Sequence, residues 1–163
     1  MYSRLAKAFY FLTTVFFIIV FLYIYALLPQ KLSYEVKIDE VPTHQISKDA
    51  FFFISLALFV VLNFLIIVPV KMIENQSVSR FRKVFRIGDP FRDHMIAWIY
   101  SFSGIININL VIMAFFILRI NNLSGIGSGL SGFVFYLAPF LFLIWIIFLF
   151  IILGKKIKKI QSV

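Results

Sequence analysis

The chain lacks cysteine altogether and is poor in charged residues. The absence of cysteine excludes a disulfide framework, a thiolate metal site and a cysteine nucleophile. Only 14% of the 163 residues are charged and 62% are hydrophobic, whereas a soluble domain has about 25% charged residues. A soluble fold of this size leaves roughly a third of its surface in water, so it cannot hide so many apolar side chains. The composition therefore indicates a chain that lies in a lipid bilayer.

Ionisable side chains are missing from four long stretches. The stretches are 8–28, 50–70, 95–118 and 133–153, and none contains Asp, Glu, Lys, Arg or His. A helix of about 20 residues rises roughly 30 Å, which matches the hydrocarbon core of a bilayer. Helices satisfy all their backbone polar groups internally, as a membrane span must. The sequence predicts an all-α integral membrane protein, a four-transmembrane-helix bundle in which residues 1–163 form one domain.

Basic residues are distributed unevenly around these stretches. The N-terminus, the 71–94 segment and the C-terminal tail carry two, six and four Lys or Arg, whereas the 29–49 and 119–132 loops carry three and one. The positive-inside rule then places both termini in the cytoplasm (N-in/C-in). Because the basic residues flank apolar stretches, the net charge of +9 predicts anionic lipid headgroups as partners and no nucleic acid. Abundant Phe, Ile and Lys suit a bacterial inner (cytoplasmic) membrane, with an organellar membrane as the alternative.

The spans contain weakly polar residues in place of charged ones. The absence of intramembrane charge weighs against proton-coupled transport, a pump relay or intramembrane hydrolysis. The candidate residues are Asn63 in the second span and Ser101, Ser103, Gly104, Asn107 and Asn109 in the third. The rise of a helix per residue places Asn63 and Ser103 at a similar depth in the membrane. We therefore expect Asn63 to form a hydrogen bond with Ser103 or to pack against Gly104. This set predicts helix packing, with a polar groove for a lipid or a partner's helix as the alternative.

The 71–94 segment contains a basic amphipathic pattern. Phe81, Val84 and Phe85 recur at helical spacing. Basic residues surround them at Arg80, Arg82, Lys83 and Arg86. The pattern predicts a short helix on the membrane surface that binds lipid headgroups, or else a docking site for a cytoplasmic partner. Asp89 and Pro90 should end this helix, and Asp93 should begin the third span.

The 29–49 loop alternates apolar and polar residues. The apolar positions are Leu32, Tyr34, Val36 and Ile38. A period of two predicts a short β element. A lone strand is unstable, so its partner would be another part of this loop, a second copy or another protein. The alternative is an extended loop that lies on the helix ends.

A scattered motif surrounds this loop. Leu28-Pro29 is followed by Val41-Pro42-Thr43-His44, then by the stretch Ser47–Phe52, and later by Trp98 and Asn107. This pattern resembles the small bacterial membrane domain of unknown function found in Sdp-type immunity proteins. The Gly-containing turn that usually follows the histidine is replaced by Gln45-Ile46-Ser47. The resemblance implies a role in toxin resistance and makes His44 an outer-loop interaction site.

The sequence contains no constellation typical of catalysis. We find no nucleophile beside a base, no metal-ligand spacing and no paired carboxylates, so we expect no enzyme activity and no cofactor or metal. We expect a non-catalytic subunit or accessory protein of a larger bacterial inner-membrane complex, with other membrane proteins as partners. The alternative is a self-standing immunity or stress-response membrane protein.

Overall fold

The computed structural model describes residues 2–33, 45–121 and 133–161. The elements in these ranges are α1 (Tyr2–Leu27), β1 (Lys31–Ser33), β2 (Gln45–Ser47), α2 (Lys48–Asn75), α3 (Ser79–Val84), α4 (Pro90–Asn121) and α5 (Phe133–Gln161). Four of the helices, α1, α2, α4 and α5, are long and apolar enough to cross a membrane. The predicted four-span architecture is therefore confirmed, and the chain is a multi-pass membrane protein.

The helices extend beyond the apolar stretches that predict them. The longest, α4, has 32 residues and rises roughly 48 Å, more than the hydrocarbon core alone requires. It begins at Pro90, and the Asp89 side chain accepts a hydrogen bond of 3.0 Å from the Phe91 amide. The prediction that Asp93 begins this span is wrong, because Asp89 caps the helix and proline suits its first position.

The third span, α4, lies at the centre of the bundle. Helices α1, α2 and α5 each pack against it. Its Gly104 allows α1 to approach closely, since a Cβ placed there would lie 2.5 Å from Cε1 of Phe9. By contrast, α1 and α2 meet through aromatic side chains, and the rings of Phe17 and Phe59 stack with centroids 4.3 Å apart. The absence of a side chain at Gly104 of α4 therefore makes room for the Phe9 ring of α1.

Basic segments of the chain lie together at one end of the bundle, which we call the basic end. This end is formed by helix α3, by the first residues of α1 and α4, and by the last residues of α2 and α5. Lys7 on α1 forms a 2.6 Å ion pair with Glu74 on α2. Lys156 on α5 pairs with Asp89 at the start of α4. These contacts place the basic segments side by side, as they must be if all of them lie on one face of the membrane.

The opposite end carries a two-stranded antiparallel hairpin, β1 and β2, in which Leu32 pairs with Ile46. Leu32 is 1% exposed and belongs to the apolar core. The side chain of Asn121, at the end of α4, accepts a 2.6 Å bond from the amide of Ser33 and donates a 2.7 Å bond to its carbonyl. The strand partner of residues 31–33 is thus another part of the same loop. Three further predicted strand residues and the histidine lie outside the described residues: Tyr34, Val36, Ile38 and His44.

Candidate functional site

A chain of polar side chains joins three helices in the middle of the bundle. Asn63 on α2 donates a 2.9 Å hydrogen bond to Oδ1 of Asn107 on α4. Ser103 on α4 donates a 3.0 Å bond to Oδ1 of Asn63, which is the bond expected from their depths. Asn107 in turn donates a 3.0 Å bond to the hydroxyl of Thr14 on α1, which donates to the Tyr10 carbonyl at 2.9 Å. We call these residues the polar network.

The polar network is enclosed by the bundle. Ser103 and Asn107 are both 0% exposed. The Asn63 amide makes a second bond, of 2.9 Å, to the Phe59 carbonyl of its own helix. Hydrogen bonds strengthen in a medium of low dielectric constant, and a buried network stabilises a fold only when its members are paired. This arrangement suits helix packing, since Asn63, Ser103 and Asn107 are buried where α2 and α4 meet.

The other three predicted polar residues lie elsewhere on α4. Gly104 packs against Phe9, as described above. Asn109 donates a 2.8 Å bond to the Ile105 carbonyl one turn earlier. Its Oδ1 is buried without a partner among the described residues. Ser101 lies on the side that faces α5, so the six residues do not form one site.

Ser101 belongs to a contact that holds α5 against α4. The indole of Trp145 on α5 donates a 2.9 Å bond to the Ser101 hydroxyl. The indole of Trp98 on α4 donates a 2.8 Å bond to the Trp145 carbonyl. Phe102 stacks on Trp98, and its ring lies edge-on to Phe142 of α5. We call this set the tryptophan contact.

The predicted basic surface helix is present as α3, which spans Ser79–Val84. Phe81 and Phe85 pack against the apolar core of the basic end, whereas Val84 is exposed. The basic side chains around them are exposed at Arg80, Arg82, Lys83 and Arg86. Arg82 differs from the others because its Nε donates a 2.9 Å bond to the Gln76 carbonyl. Binding of this segment to lipid headgroups stays a prediction.

The sequence did not predict a central role for Glu74, whose side chain is 14% exposed. Its carboxylate pairs with Lys7 at 2.6 Å and Lys71 at 3.1 Å, and it accepts a bond of 3.2 Å from the Tyr100 hydroxyl. Its carbonyl accepts a 3.1 Å bond from Arg92. Glu74 therefore ties α1, α2 and α4 together at the basic end. The available signal was an acidic residue three positions after Lys71 in a flank rich in basic residues.

Replacing Glu74 with glutamine should lower the free energy of unfolding by about 1–2 kcal/mol, because the ion pairs to two lysines are lost while the shape is kept. Both lysines are partly exposed to solvent, which limits the loss. The measurement is reversible unfolding in mixed micelles, followed by circular dichroism. Asp93→Asn is the matched control, since the Asp93 side chain is 61% exposed and its ion pair, at 3.6 Å, is with the adjacent Arg92 of the same helix. Equal effects of the two substitutions would contradict the role of Glu74.

The described residues contain no group of three or more His, Cys, Asp and Glu side chains that could hold a metal ion. Of the two histidines in the chain, the structure describes His94. The centroid of its ring lies 5.8 Å from that of Tyr2, in an edge-on contact.

Comparisons with known proteins place the chain in no family. No family model, no curated protein and no solved structure matches it. The resemblance to Sdp-type immunity domains therefore stays a prediction.

Proposed function

We propose that this chain is a non-catalytic accessory subunit of a larger bacterial inner-membrane complex and that α5 binds its partner subunit. The observation that carries the proposal is the isolation of α5. None of its described side chains is buried, whereas half of the most apolar part of α4 is buried. Helix α5 packs on α4 through one stripe centred on the tryptophan contact, so most of its circumference is open to other membrane proteins.

The rest of the bundle is tied together without α5. The polar network joins α1, α2 and α4 in the middle, and Glu74 joins the same three helices at the basic end. The hairpin is anchored on α4 at the other end. A helix outside this scaffold contributes little to closing it, which supports a role in assembly.

The exposed surface of α5 is rich in aromatic side chains. The exposed ones are Tyr136, Phe140, Phe148 and Phe150. Helices associate in membranes through van der Waals packing, and aromatic rings provide large, rigid contact areas. The surface of α5 is therefore suited to pack against the spans of another protein.

A non-catalytic role is supported by how the acidic groups at the basic end are used. Glu74 and Asp89 both form ion pairs that join different helices. Groups held in this way stabilise the bundle. The exposed Arg80, Lys83 and Arg86 of the α3 region add a basic surface suited to anionic lipid headgroups.

Site-specific photocrosslinking in cells that make the protein naturally tests the proposal. A photoreactive phenylalanine replaces Phe150 on α5 or, as the matched control, Phe53 on α2, which are 67% and 66% exposed. We expect one defined membrane protein to be captured from position 150 and not from position 53. Capture from position 53 alone would exclude α5 as the binding surface. Absence of protein capture at both positions would reject the subunit proposal and favour the self-standing immunity or stress-response alternative.

The positive-inside rule predicts that both termini lie in the cytoplasm. The chain has no native cysteine, so the variants Gln45→Cys and Gln161→Cys each carry a single thiol, and both positions are exposed. We expect a membrane-impermeant maleimide to label the first variant in intact cells and to label the second only after lysis. The opposite pattern would invert the orientation.

A further inference from the structure

A cleft lies between α1 and α5 near the basic end, with α4 as its floor. Its volume is about 360 Å³, which falls within the range of small-molecule sites. Trp98, Ser101 and Trp145 line it where the tryptophan contact is made. Ala6 on α1 and Phe148 and Ile152 on α5 line its sides. The cleft is therefore a mainly apolar space within the membrane part of the bundle.

The shape and lining of the cleft suit a hydrocarbon chain. Its lining extends along α4 from His94 to Ser101, a rise of roughly 10 Å. The cleft is open on one side, and apolar side chains form most of its lining. A flexible acyl chain of a neighbouring lipid can therefore lie in it.

The opening of the cleft at the basic end carries positive charge. A smaller cavity of about 140 Å³ adjoins the cleft and shares His94 and Ile152 with it. Its lining includes Lys155 and Lys156. Lys156 is paired with Asp89, which neutralises the one acidic group in this lining. The exposed ammonium of Lys155 is therefore available to attract a phosphate at the depth of the headgroups.

We propose that this cleft binds an anionic phospholipid, with one acyl chain against Trp98 and Trp145 and the phosphate near Lys155 and His94. The apolar lining matches an acyl chain, and the positive charge at the opening favours a lipid with a net negative headgroup over a zwitterionic lipid. The cleft shares Phe148 with the proposed partner surface, whereas Tyr136, Phe140 and Phe150 of that surface do not line it.

The two tryptophans of the chain provide a direct probe, because they are its only ones and both line the cleft. The purified protein is placed in phosphatidylcholine nanodiscs that contain a small fraction of either acyl-brominated phosphatidylglycerol or acyl-brominated phosphatidylcholine. Bromine quenches tryptophan on contact. We expect the anionic lipid to reach half-maximal quenching at a mole fraction about fivefold lower, the effect of about one lysine near a membrane surface.

Matched variants distinguish a site from general attraction to a basic protein. Lys155→Glu should remove the preference for the anionic lipid, and Lys155→Arg should keep it. Lys158→Glu makes the same charge change at an exposed residue of α5 that does not line either cavity, and it should retain the preference. Equal quenching by the two brominated lipids would overturn the proposal, as would equal effects of the two glutamate variants. Because no partner protein is present, this outcome is independent of the crosslinking result.

Discussion

Replacing Gly104 with leucine should lower the free energy of unfolding by about 3 kcal/mol and separate α1 from α4. A Cβ at this position would lie 2.5 Å and 2.7 Å from two ring carbons of Phe9 and 3.1 Å from the hydroxyl of Thr13. Contacts this short force the ring or the helix to move, and overpacking of a close interface costs about 1–3 kcal/mol or more. Reversible unfolding in mixed micelles measures the change.

The chain offers a matched control for this substitution. A Cβ at Gly154 in α5 meets no atom within 4 Å, so Gly154→Leu should leave the stability unchanged or raise it slightly, because leucine favours helix over glycine. Phe9→Ala in the Gly104→Leu background should recover part of the loss, since it removes the ring that clashes. A Gly104→Leu variant as stable as Gly154→Leu would show that α1 does not approach α4 at this glycine.

Replacing Asn107 with leucine should lower the free energy of unfolding by about 1–3 kcal/mol. Two interhelical hydrogen bonds are lost, and each contributes about 0.6–2 kcal/mol in a membrane protein. Asn107 accepts the bond from Asn63 and donates the bond to Thr14. The substitution leaves Thr14 bonded to a backbone carbonyl and Asn63 bonded to Ser103 and its own helix. The loss should therefore appear as weaker association of α1 and α2 with α4, measured by unfolding in mixed micelles.

Asn109→Leu is the control, two positions further along the same helix. Asn109 bonds only to its own helix among the described residues, and its buried Oδ1 has no partner there. Its replacement should have little effect or be stabilising, because no interhelical bond is lost. A double-mutant cycle with Asn63→Leu should give a coupling energy for Asn107 and none for Asn109. Equal effects at positions 107 and 109 would argue against the polar network as the element that joins the helices.

The four spans could be predicted from the sequence because bilayer thickness alone sets the length of an uncharged stretch. The hydrogen bond between Asn63 and Ser103 could also be predicted, because the helix rise gives the depth of each residue in the membrane. The bonds of Asn107 to Asn63 and Thr14 were not, because they depend on how each helix is rotated about its axis and which helix lies beside it. Small and weakly polar residues, concentrated in α4, were the available signal for its central position.

Charged residues outside the apolar stretches were harder to interpret. The positive-inside rule counts only Lys and Arg in the flanks and gives Glu74 no role. In the structure α2 continues to Asn75, and the Glu74 side chain accepts a hydrogen bond from Tyr100. The alternation in the outer loop predicted a strand correctly at Leu32. It did not identify Gln45–Ser47 as the paired segment, because antiparallel pairing within a loop depends on where the chain turns.

The polar network has a consequence for the order in which the chain is made. Asn63 reaches the ribosomal exit before Asn107, which lies 44 residues later. At 5–20 residues per second, synthesis of that interval takes roughly 2 to 9 seconds. During this time the helix that packs against both of the first two spans is incomplete, and the bond of Asn63 to Asn107 cannot form. A nascent chain that stops before the third span would lack the helix on which the bundle assembles and would be open to membrane proteases. The bundle can therefore fold only once α4 has been made.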